Sequence, residues 1–260
     1  MTVSHPSTAI LPAGPAMSVT FREWDDSDSA RRAAVSLGRD EVQVWTAAVP
    51  TDEAELHELA RLLSADERQR AEKFTVSGPR RQYVFGRAWL RQLLGACLAV
   101  GPVALVFDCH PRGKPRLSQA VRKTDVRFNL SHSGRRVVVA LARGREVGVD
   151  LELIQPWDDW PLLAERVFSP RELAELRSLP QSQQPAAFFH GWTRKEAWLK
   201  ATGEGLTDAL AAIEVTLAPG KPPEWLALPG GPPAVRRWAL RDLPLPVDFA
   251  GAVVFENVEC

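Results

Sequence analysis

The sequence predicts an α+β protein made of two halves with a similar order of elements. Each half offers a helical portion and about three β-rich runs, and a hairpin predicted near residue 145 forms the hinge between them. No sequence repeat accompanies this similarity, so any duplication depends on element order alone. We therefore expect a disordered N-terminal extension over residues 1–39, an N-terminal α+β half over 40–145 and a C-terminal α+β half over 146–260.

Capping residues and alternating apolar positions define the elements of the N-terminal half. Residues 1–39 are rich in Ser, Pro, Ala and acidic side chains and lack a periodic pattern, which is typical of disorder. Thr51 and Ser64 are suited to capping two short helices, and Pro79 to opening a long helix from Arg80 to about Val100. The predicted strands of this half are Glu41–Val49, Val103–Phe107, Val126–Leu130 and Val137–Ala142.

The C-terminal half opens with a β-rich run, Val147–Ile154. Only four turn residues separate it from the preceding strand, so we expect a hairpin there. Ser169 with Glu172 predicts a capping box, and His190–Leu206 predicts a helix that two glycines stop. The remaining predicted strands are Ile213–Leu217, Val235–Leu243 and Phe249–Phe255, with the last two paired.

Composition is typical of a soluble globular protein. Of the 260 residues, 45% are hydrophobic and 25% are charged, and no apolar run approaches the length of a membrane span. The N-terminus lacks the basic segment of a secretory signal, and Cys97, Cys109 and Cys260 fit neither a disulfide framework nor a zinc pattern. We therefore expect a cytoplasmic protein without a membrane partner.

The net charge of zero hides an uneven distribution. Residues 1–145 carry 22 Lys and Arg against 15 Asp and Glu, a net +7, whereas residues 146–260 carry 10 against 17, a net −7. This asymmetry suggests an anion held by the first half and a metal held by the second, unless it is chance. No nucleic-acid partner is expected, because the sequence contains no RNP motif, zinc finger or Arg-rich arm with interleaved aromatics.

The central predicted helix carries charged groups on its apolar face. Trp192, Glu196 and Lys200 follow one another at i, i+4 and i+8, and Phe189 and Leu199 fall on the same stripe. A carboxylate and an ammonium on a face that packs inward are costly unless something binds them. Glu196 and Lys200 are therefore candidate functional residues, and the alternative is an exposed Glu–Lys pair.

Two more carboxylates lie in the segment GVDLE. Because side chains alternate along a strand, Asp150 and Glu152 share one face, and they repel each other unless a cation lies between them. Such hard oxygen ligands suit Mg²⁺, and Glu196 offers a third carboxylate. Lys200, one helical turn later, would neutralise charge on a phosphoryl group. The alternative for Asp150 and Glu152 is a solvent-facing strand edge.

Candidate anion ligands precede this segment. Ser131 and His132 follow an apolar strand end, where loops often present binding groups, and His132 is suited to donate to a phosphate. Adjacent residues usually point apart, which argues against a nucleophile–base pair. A basic set is either a phosphate-binding surface or a group of solvated helix faces. Its members are Arg68, Arg70, Lys73, Arg80, Arg81, Arg87, Arg91, Arg112, Lys114 and Arg116.

Three segments together resemble a known family. FNLSHS, GVDLE and WTRKEAWLKATGEGL, in this order and at these separations, resemble the Sfp-type 4′-phosphopantetheinyl transferases, most strongly over Phe128–Leu206 and more weakly back to Leu63. The family pattern (I/V)-D-x-E followed by W-x-x-K-E-A-x-x-K is long and specific, and all its key positions are filled. The resemblance implies two similar α+β halves related by a pseudo-twofold axis, with coenzyme A in the cleft between them.

The resemblance also implies a role for each candidate residue. Mg²⁺ would be held by Asp150, Glu152 and Glu196, together with the pyrophosphate of coenzyme A. The implied coenzyme A contacts are Ser131 and Lys200 for the pyrophosphate, Lys114 for the adenine nucleotide, and His132, Arg70 and one of Arg80 or Arg81 for the 3′-phosphate.

The implied reaction moves 4′-phosphopantetheine from coenzyme A to a serine of an apo carrier protein and releases 3′,5′-ADP. A serine hydroxyl needs a nearby base, and the candidate is Glu196, acting directly or through a metal-bound water. The carrier would be an acidic helical protein of fatty acid, polyketide or nonribosomal peptide biosynthesis. A chain that holds both halves is expected to act as a monomer. The alternatives are a metal-dependent phosphodiesterase or nuclease acting on a nucleotide-like substrate, and a non-catalytic module that binds coenzyme A or a carrier protein.

Overall fold

In the computed structural model the described residues form two main β-sheets, each covered on its outer face by one long helix, and two smaller sheets of two strands each. The structure describes residues 17–24, 35–109, 113–119, 123–155, 159–204 and 208–257. The strands are β1 (Ser18–Glu23), β2 (Glu41–Ala48), β3 (Phe107–Cys109), β4 (Pro115–Leu117), β5 (Val126–Ser133), β6 (Arg136–Arg143), β7 (Val147–Leu153), β8 (Glu214–Val215), β9 (Trp225–Ala227), β10 (Trp238–Asp242) and β11 (Phe249–Glu256). The α-helices are α1 (Glu53–Ala60), α2 (Ala65–Glu72), α3 (Ser77–Leu98), α4 (Trp160–Val167), α5 (Pro170–Ser178), α6 (Gln184–Thr202) and α7 (Gly231–Arg237).

The two main sheets belong to different parts of the chain. The first has the strand order β1-β2-β6-β5 and the second the order β10-β11-β7. β1 pairs parallel with β2, and the other pairs in these sheets are antiparallel. The predicted α+β class with two similar halves is confirmed, since each half combines one sheet with one long helix. The chain changes sheet at residues 144–146, while the expected boundaries at 39/40 and 145/146 stay predictions about independent domains.

Alternation along the strands produces three layers of core. On β2, Trp45 faces α3 and the core of the first half, whereas Val44 faces the second sheet. On β11, Val254 packs in the core beneath α6, whereas Val253 joins the core between the sheets. Both faces of each sheet are therefore buried, and the face of β7 that carries Asp150 is directed at α6.

The predicted hairpin across residues 143–146 is wrong. β6 pairs with β5 on one edge and with β2 on the other, so it has no free edge for the next strand. Gly144 has a φ of 63°, and β7 then pairs with β11 in the second sheet. The local hairpin of this region is β5–β6. Short spacing between two strands did not distinguish a turn within one sheet from a crossing between two sheets.

The expectation of disorder over residues 1–39 needs correction where the structure describes them. Ser18–Glu23 forms β1 on the edge of β2, and the Trp24 ring packs edge-on against Trp45 with centroids 6.0 Å apart. Val35 and Leu37 are buried in the first core. Apolar residues spaced by polar ones in this stretch reach the core although their surroundings are hydrophilic; the remainder of the predicted extension lies outside the described residues.

Several element boundaries also differ from those predicted. Asp52, not Thr51, accepts the capping bond of α1, and α3 begins at Ser77 with Pro79 in its first turn. Residues Pro102–Ala104 form a 3₁₀ turn where a strand was predicted, because Pro102 favours that start, and β3 follows at Phe107. Residues 235–237 belong to α7, although β10 and β11 pair as predicted.

Candidate active site

One cavity of about 280 Å³ lies where β5, β7 and α6 meet. Its wall contains six of the predicted functional residues, two from each of these elements. They are Ser131, His132, Asp150, Glu152, Glu196 and Lys200. Residues 131 and 200 are far apart in sequence, so the fold brings together three segments that the sequence could connect only by resemblance.

Helix α6 packs closely on β7 next to this cavity. A side chain at Gly148 would overlap the backbone carbonyl of Ala197 and the backbone nitrogen of Ala201, so glycine is required for this approach. The spacing along α6 then brings Trp192 into the cavity wall one turn before Glu196. The predicted shared face of the helix is confirmed, and Gly148 explains why that face lies so close to the strand.

Lys200, Ser131 and Asp150 form a hydrogen-bonded triangle. The Lys200 ammonium donates to Asp150 Oδ1 at 2.6 Å and to Ser131 Oγ at 2.9 Å. The Ser131 hydroxyl donates to the same Asp150 oxygen at 2.8 Å. Asp150 is only 3% exposed, and its other oxygen, Oδ2, is buried without a hydrogen-bond partner. Such an unpaired buried carboxylate oxygen is costly unless a ligand binds it.

Glu196 contributes a second unpaired oxygen, because its Oε1 is also buried without a hydrogen-bond partner. Burial first, and then the negative charge of Asp150, raise the pKa of Glu196 to about 7, against the opposing effect of Lys200. Burial likewise raises the pKa of Glu152, although Ser133 donates to that carboxylate at 2.7 Å. The cavity thus holds three carboxyl groups with one ammonium among them.

A metal ion needs several of these carboxylates close together, with oxygens that no other group occupies. In the part of the chain that the structure describes, no three His, Cys, Asp or Glu side chains are grouped so that they could hold a metal ion. The unpaired oxygens of Asp150 and Glu196 nevertheless lie in one cavity and lack a donor. This donor set suits a hard divalent cation, with the Lys200 ammonium against Asp150 as its competitor.

His132 and Ser131 lie inside β5, whereas the sequence placed them in a loop after a strand. β6 pairs with β5 as far as Ser133, so the strand continues to the turn at Gly134. The His132 side chain reaches solvent at the rim of the cavity. Partial burial first, and then the charge of Lys200, lower the pKa of His132.

Lys114 lines a neighbouring cavity of about 310 Å³ instead of the first one. Its ammonium donates to Glu146 Oε2 at 3.0 Å and to the carbonyls of Val147 and Ala201 at 3.1 Å each. Burial lowers the pKa of Lys114, against the charge of Glu146. Its three N–H donors connect the start of β7 to the end of α6, so its predicted contact with an adenine nucleotide stays a prediction.

Arg70, Arg80 and Arg81, the predicted 3′-phosphate ligands, are not part of either cavity wall, whereas Arg116 lines the second cavity. Arg112 lies outside the described residues. Arg81 bonds to the Thr51 carbonyl and to Glu53, which directs it toward α1. The Arg70 guanidinium lies over the Tyr83 ring, 5.6 Å from its centroid, and the Arg80 side chain is exposed. Contacts of these residues with a 3′-phosphate therefore stay predictions.

Sequence reasoning missed three residues around the cavity. Asn129 and Ser133 flank Ser131 at alternate positions of β5, and both bond to β7. Their spacing of two residues was a usable signal, but it has meaning only if FNLSHS is a strand. Gly148 was included in GVDLE without a role, because the need for a residue without Cβ depends on how closely α6 packs.

Comparison with known proteins assigns both halves to one family. A profile described as "4'-phosphopantetheinyl transferase, N-terminal" matches residues 45–143, and the profile of the 4′-phosphopantetheinyl transferase superfamily matches residues 146–253. Together they span both sheets and leave the cavity residues of β7 and α6 within the second match.

Individual proteins agree with these profiles. The chain is 40% identical to the 4′-phosphopantetheinyl transferase HetI of Nostoc sp. over 85% of this chain and 89% of that protein. It is 34% identical to the 4′-phosphopantetheinyl transferase psf-1 of Bacillus pumilus over 63% of this chain and 68% of that protein. A Bacillus anthracis holo-(acyl-carrier-protein) synthase in complex with CoA (3′,5′-ADP) aligns with 43% of this chain and 94% of its own, at 20% identity and a TM-score of 0.36. The two profiles and the likeness to HetI show that the chain belongs to the 4′-phosphopantetheinyl transferase superfamily and is a transferase enzyme of that kind.

Proposed function

We propose that this enzyme transfers 4′-phosphopantetheine from coenzyme A to a serine hydroxyl of an apo carrier protein, with Mg²⁺ as cofactor. The observation that supports this most directly is the convergence of Asp150, Glu152, Glu196 and Lys200 on one cavity, with two carboxylate oxygens left unpaired. The bond that forms joins the serine oxygen to the phosphorus next to pantetheine. The bond that breaks is the pyrophosphate linkage, and 3′,5′-ADP leaves.

Glu196 is suited to accept the proton of the attacking serine. A serine hydroxyl is a weak nucleophile and needs a nearby base. The pKa of Glu196 is about 7 in the protein without ligands, and a bound divalent cation would lower it, so this carboxyl would be ionised and able to accept a proton at neutral pH. Lys200 and Ser131 both donate to Asp150 in the cavity wall, and on substrate binding they would donate to the oxygens of the pyrophosphate.

A divalent cation would bind the two unpaired carboxylate oxygens and draw the three carboxylates closer together than they lie in the protein without ligands. Asp150, Glu152 and Glu196 would hold it, and when bound it would neutralise the charge that develops on the pyrophosphate. Lys200 now lies 2.6 Å from Asp150, so it would turn from this carboxylate toward the phosphate oxygens of the donor. Lys200 would thereby orient the pyrophosphate.

The acceptor is inferred from chemistry alone. A small acidic helical carrier would be attracted to the net positive charge of residues 1–145. The family of carrier, whether for fatty acid, polyketide or nonribosomal peptide synthesis, is left to experiment.

The test is a panel of apo carriers incubated with enzyme, coenzyme A and Mg²⁺ and analysed by intact-protein mass. Gain of the phosphopantetheine mass on at least one carrier is the expected result. Release of 3′,5′-ADP from coenzyme A without any carrier would instead identify a phosphodiesterase. Coenzyme A binding by calorimetry with neither transfer nor hydrolysis would identify a binding module.

Glu196→Gln should lower kcat about 10²- to 10⁴-fold, the usual contribution of a general base. Glu165→Gln is the matched control, because Glu165 lies on α4 outside the cavity and pairs with Arg177. A wild-type rate in Glu196→Gln, with transfer intact, would remove Glu196 from the mechanism.

A further inference from the structure

β5 and β7 lie side by side at the cavity although they belong to different sheets. Side chains from alternate residues of β5 reach across to β7. Asn129 Oδ1 accepts the backbone N–H of Val149 at 2.8 Å, and the Ser131 hydroxyl donates to Asp150 at 2.8 Å. Ser133 makes the third such contact. The two sheets are thus linked through side chains beside the candidate active site.

Ser133 bonds to two groups of β7 at once. Its hydroxyl donates to Glu152 Oε2 at 2.7 Å and accepts the backbone N–H of Leu153 at 3.0 Å. A backbone N–H can only donate, so this bond fixes the hydroxyl oxygen as acceptor and directs its proton to the carboxylate. One oxygen of Glu152 is therefore held from the edge of β5 by a hydroxyl whose orientation is itself fixed.

We propose that Ser133 is a positioning residue that orients Glu152 for the divalent cation. The inference rests on the proposed function, in which Glu152 is a metal ligand. Glu152 lines the cavity whereas Ser133 does not, so Ser133 acts through the carboxylate and does not touch the substrate.

The bond from Ser133 restricts the Glu152 side chain before an ion binds. This lowers the entropic cost of ion binding. A glutamate side chain on a strand has three rotatable bonds, and ordering them on ion binding costs free energy. Ser133 orders the carboxylate beforehand, and the Leu153 N–H orders Ser133. Hydrogen-bond partners of metal ligands commonly change metal affinity about 10- to 100-fold when they are removed.

The test uses Mn²⁺ as a spectroscopic substitute for Mg²⁺ with the full chain, measured by electron paramagnetic resonance of the free ion. Ser133→Ala should raise the Kd for Mn²⁺ about 10-fold or more. Ser133→Thr keeps the hydroxyl and should bind Mn²⁺ as the wild type does. In transfer assays, Ser133→Ala should raise the apparent KM for Mg²⁺, with kcat recovering at saturating Mg²⁺.

A matched control removes a similar bond elsewhere. The Ser64 hydroxyl donates to Asp66 at 2.7 Å at the start of α2, outside the cavity. Ser64→Ala should leave the Kd for Mn²⁺ unchanged. If Ser133→Ala fails to fold by circular dichroism, Ser133→Cys replaces it, since a thiol of similar size is a weak donor and should also weaken Mn²⁺ binding.

The outcomes separate the two proposals. Unchanged Mn²⁺ affinity in folded Ser133→Ala or Ser133→Cys overturns the positioning role and leaves the proposed function standing. If the wild-type protein binds Mn²⁺ neither in the presence nor in the absence of coenzyme A, the metal-dependent function is overturned, and the role of Ser133 with it.

Discussion

Two lysines of α6 bind carboxylates in contrasting ways. Lys195 and Glu172 are both 0% exposed, and the Lys195 ammonium also donates to the carbonyls of Val167 at 2.8 Å and Leu210 at 3.1 Å. Lys200, five residues later and therefore about 140° around the helix, is 29% exposed and pairs with Asp150 in the cavity. One lysine faces the core and the other the candidate active site.

The two carboxylates differ in whether both of their oxygens have a hydrogen-bond partner. Glu172 also accepts from the backbone nitrogens of Ser169 at 2.8 Å and Val215 at 2.9 Å, so both its oxygens are bonded. Asp150 retains one buried oxygen without a partner. A fully bonded pair holds α5, β8 and α6 together, whereas an incompletely bonded pair is poised for a ligand. Of these two lysines of one motif, Lys195 has a structural role and Lys200 has a proposed functional role.

The largest expected effect is on folding. Lys195→Met leaves Glu172 charged and buried without its cation and should lower the free energy of unfolding by about 3–5 kcal/mol. Lys200→Met should lower it by only about 1.5–3 kcal/mol, the range for a hydrogen bond to a charged group, because Asp150 keeps its bond to Ser131. Urea denaturation of both variants measures the two values.

The control for this pair is Lys221→Met, at a lysine that is 64% exposed and 3.7 Å from Glu175. Its effect should stay within about 0.5 kcal/mol. The comparison breaks if Lys200→Met destabilises the protein more than Lys195→Met, or if Lys195→Met alone abolishes transfer while remaining as stable as the wild type.

The next largest effect is expected at the contact between β7 and α6, where both stability and transfer should fall. Gly148→Ala inserts a Cβ against the helix backbone at Ala197 and Ala201, and overpacking of this kind costs about 1–3 kcal/mol. Because that contact adjoins the Lys200 face, transfer should fall more than the loss of stability explains. Thermal unfolding and transfer rates measured on the same preparation test this.

Gly86→Ala is the matched control within α3. A Cβ there would meet Leu130 Cδ1 at an ordinary 3.5 Å, so the substitution should stabilise the helix by about 0.5–1 kcal/mol. Wild-type stability and activity in Gly148→Ala would show that the close approach of α6 to β7 does not matter.

The smallest expected effect is a change in the pKa of Glu196. It distinguishes Lys200 from Lys195 most clearly. The charge of Lys200 lowers the pKa of Glu196, whereas that of Asp150 raises it. Lys200→Met should therefore raise this pKa above about 7 and Asp150→Asn should lower it, while Lys195→Met, provided it folds, should leave it unchanged. Carboxyl ¹³C NMR titration of Glu196 reports each shift, and a change in Lys195→Met equal to that in Lys200→Met would contradict the comparison.

The same pKa determines how Glu196 links pH to stability. Its folded value of about 7 exceeds the ordinary 4.5, so the folded protein holds this proton more tightly than the unfolded chain. The stabilising contribution is complete below pH 4.5 and disappears as pH rises through about 7. Glu196→Gln should abolish this part of the pH dependence.

Local patterns predicted the helix face and the strand face of the candidate site. The spacing of Trp192, Glu196 and Lys200 and the alternation of Asp150 and Glu152 need only one element each. Strand partners depend on residues far away in sequence, which is why β6 and β7 were predicted to pair when β2 and β11 take their edges. For the same reason the contacts of Asn129 and Ser133 with β7 were beyond local analysis.

The exposed strand β1, and not the buried strand β2, forms one edge of the first sheet. It covers the outer edge of β2, whose backbone would otherwise present unpaired N–H and C=O groups along Glu41–Ala48. An uncovered edge of this kind is a template for strand addition by a second molecule. Deleting residues 17–24 would therefore promote self-association and precipitation before it affected the chemistry, although these residues lie in a stretch that the sequence alone would discard.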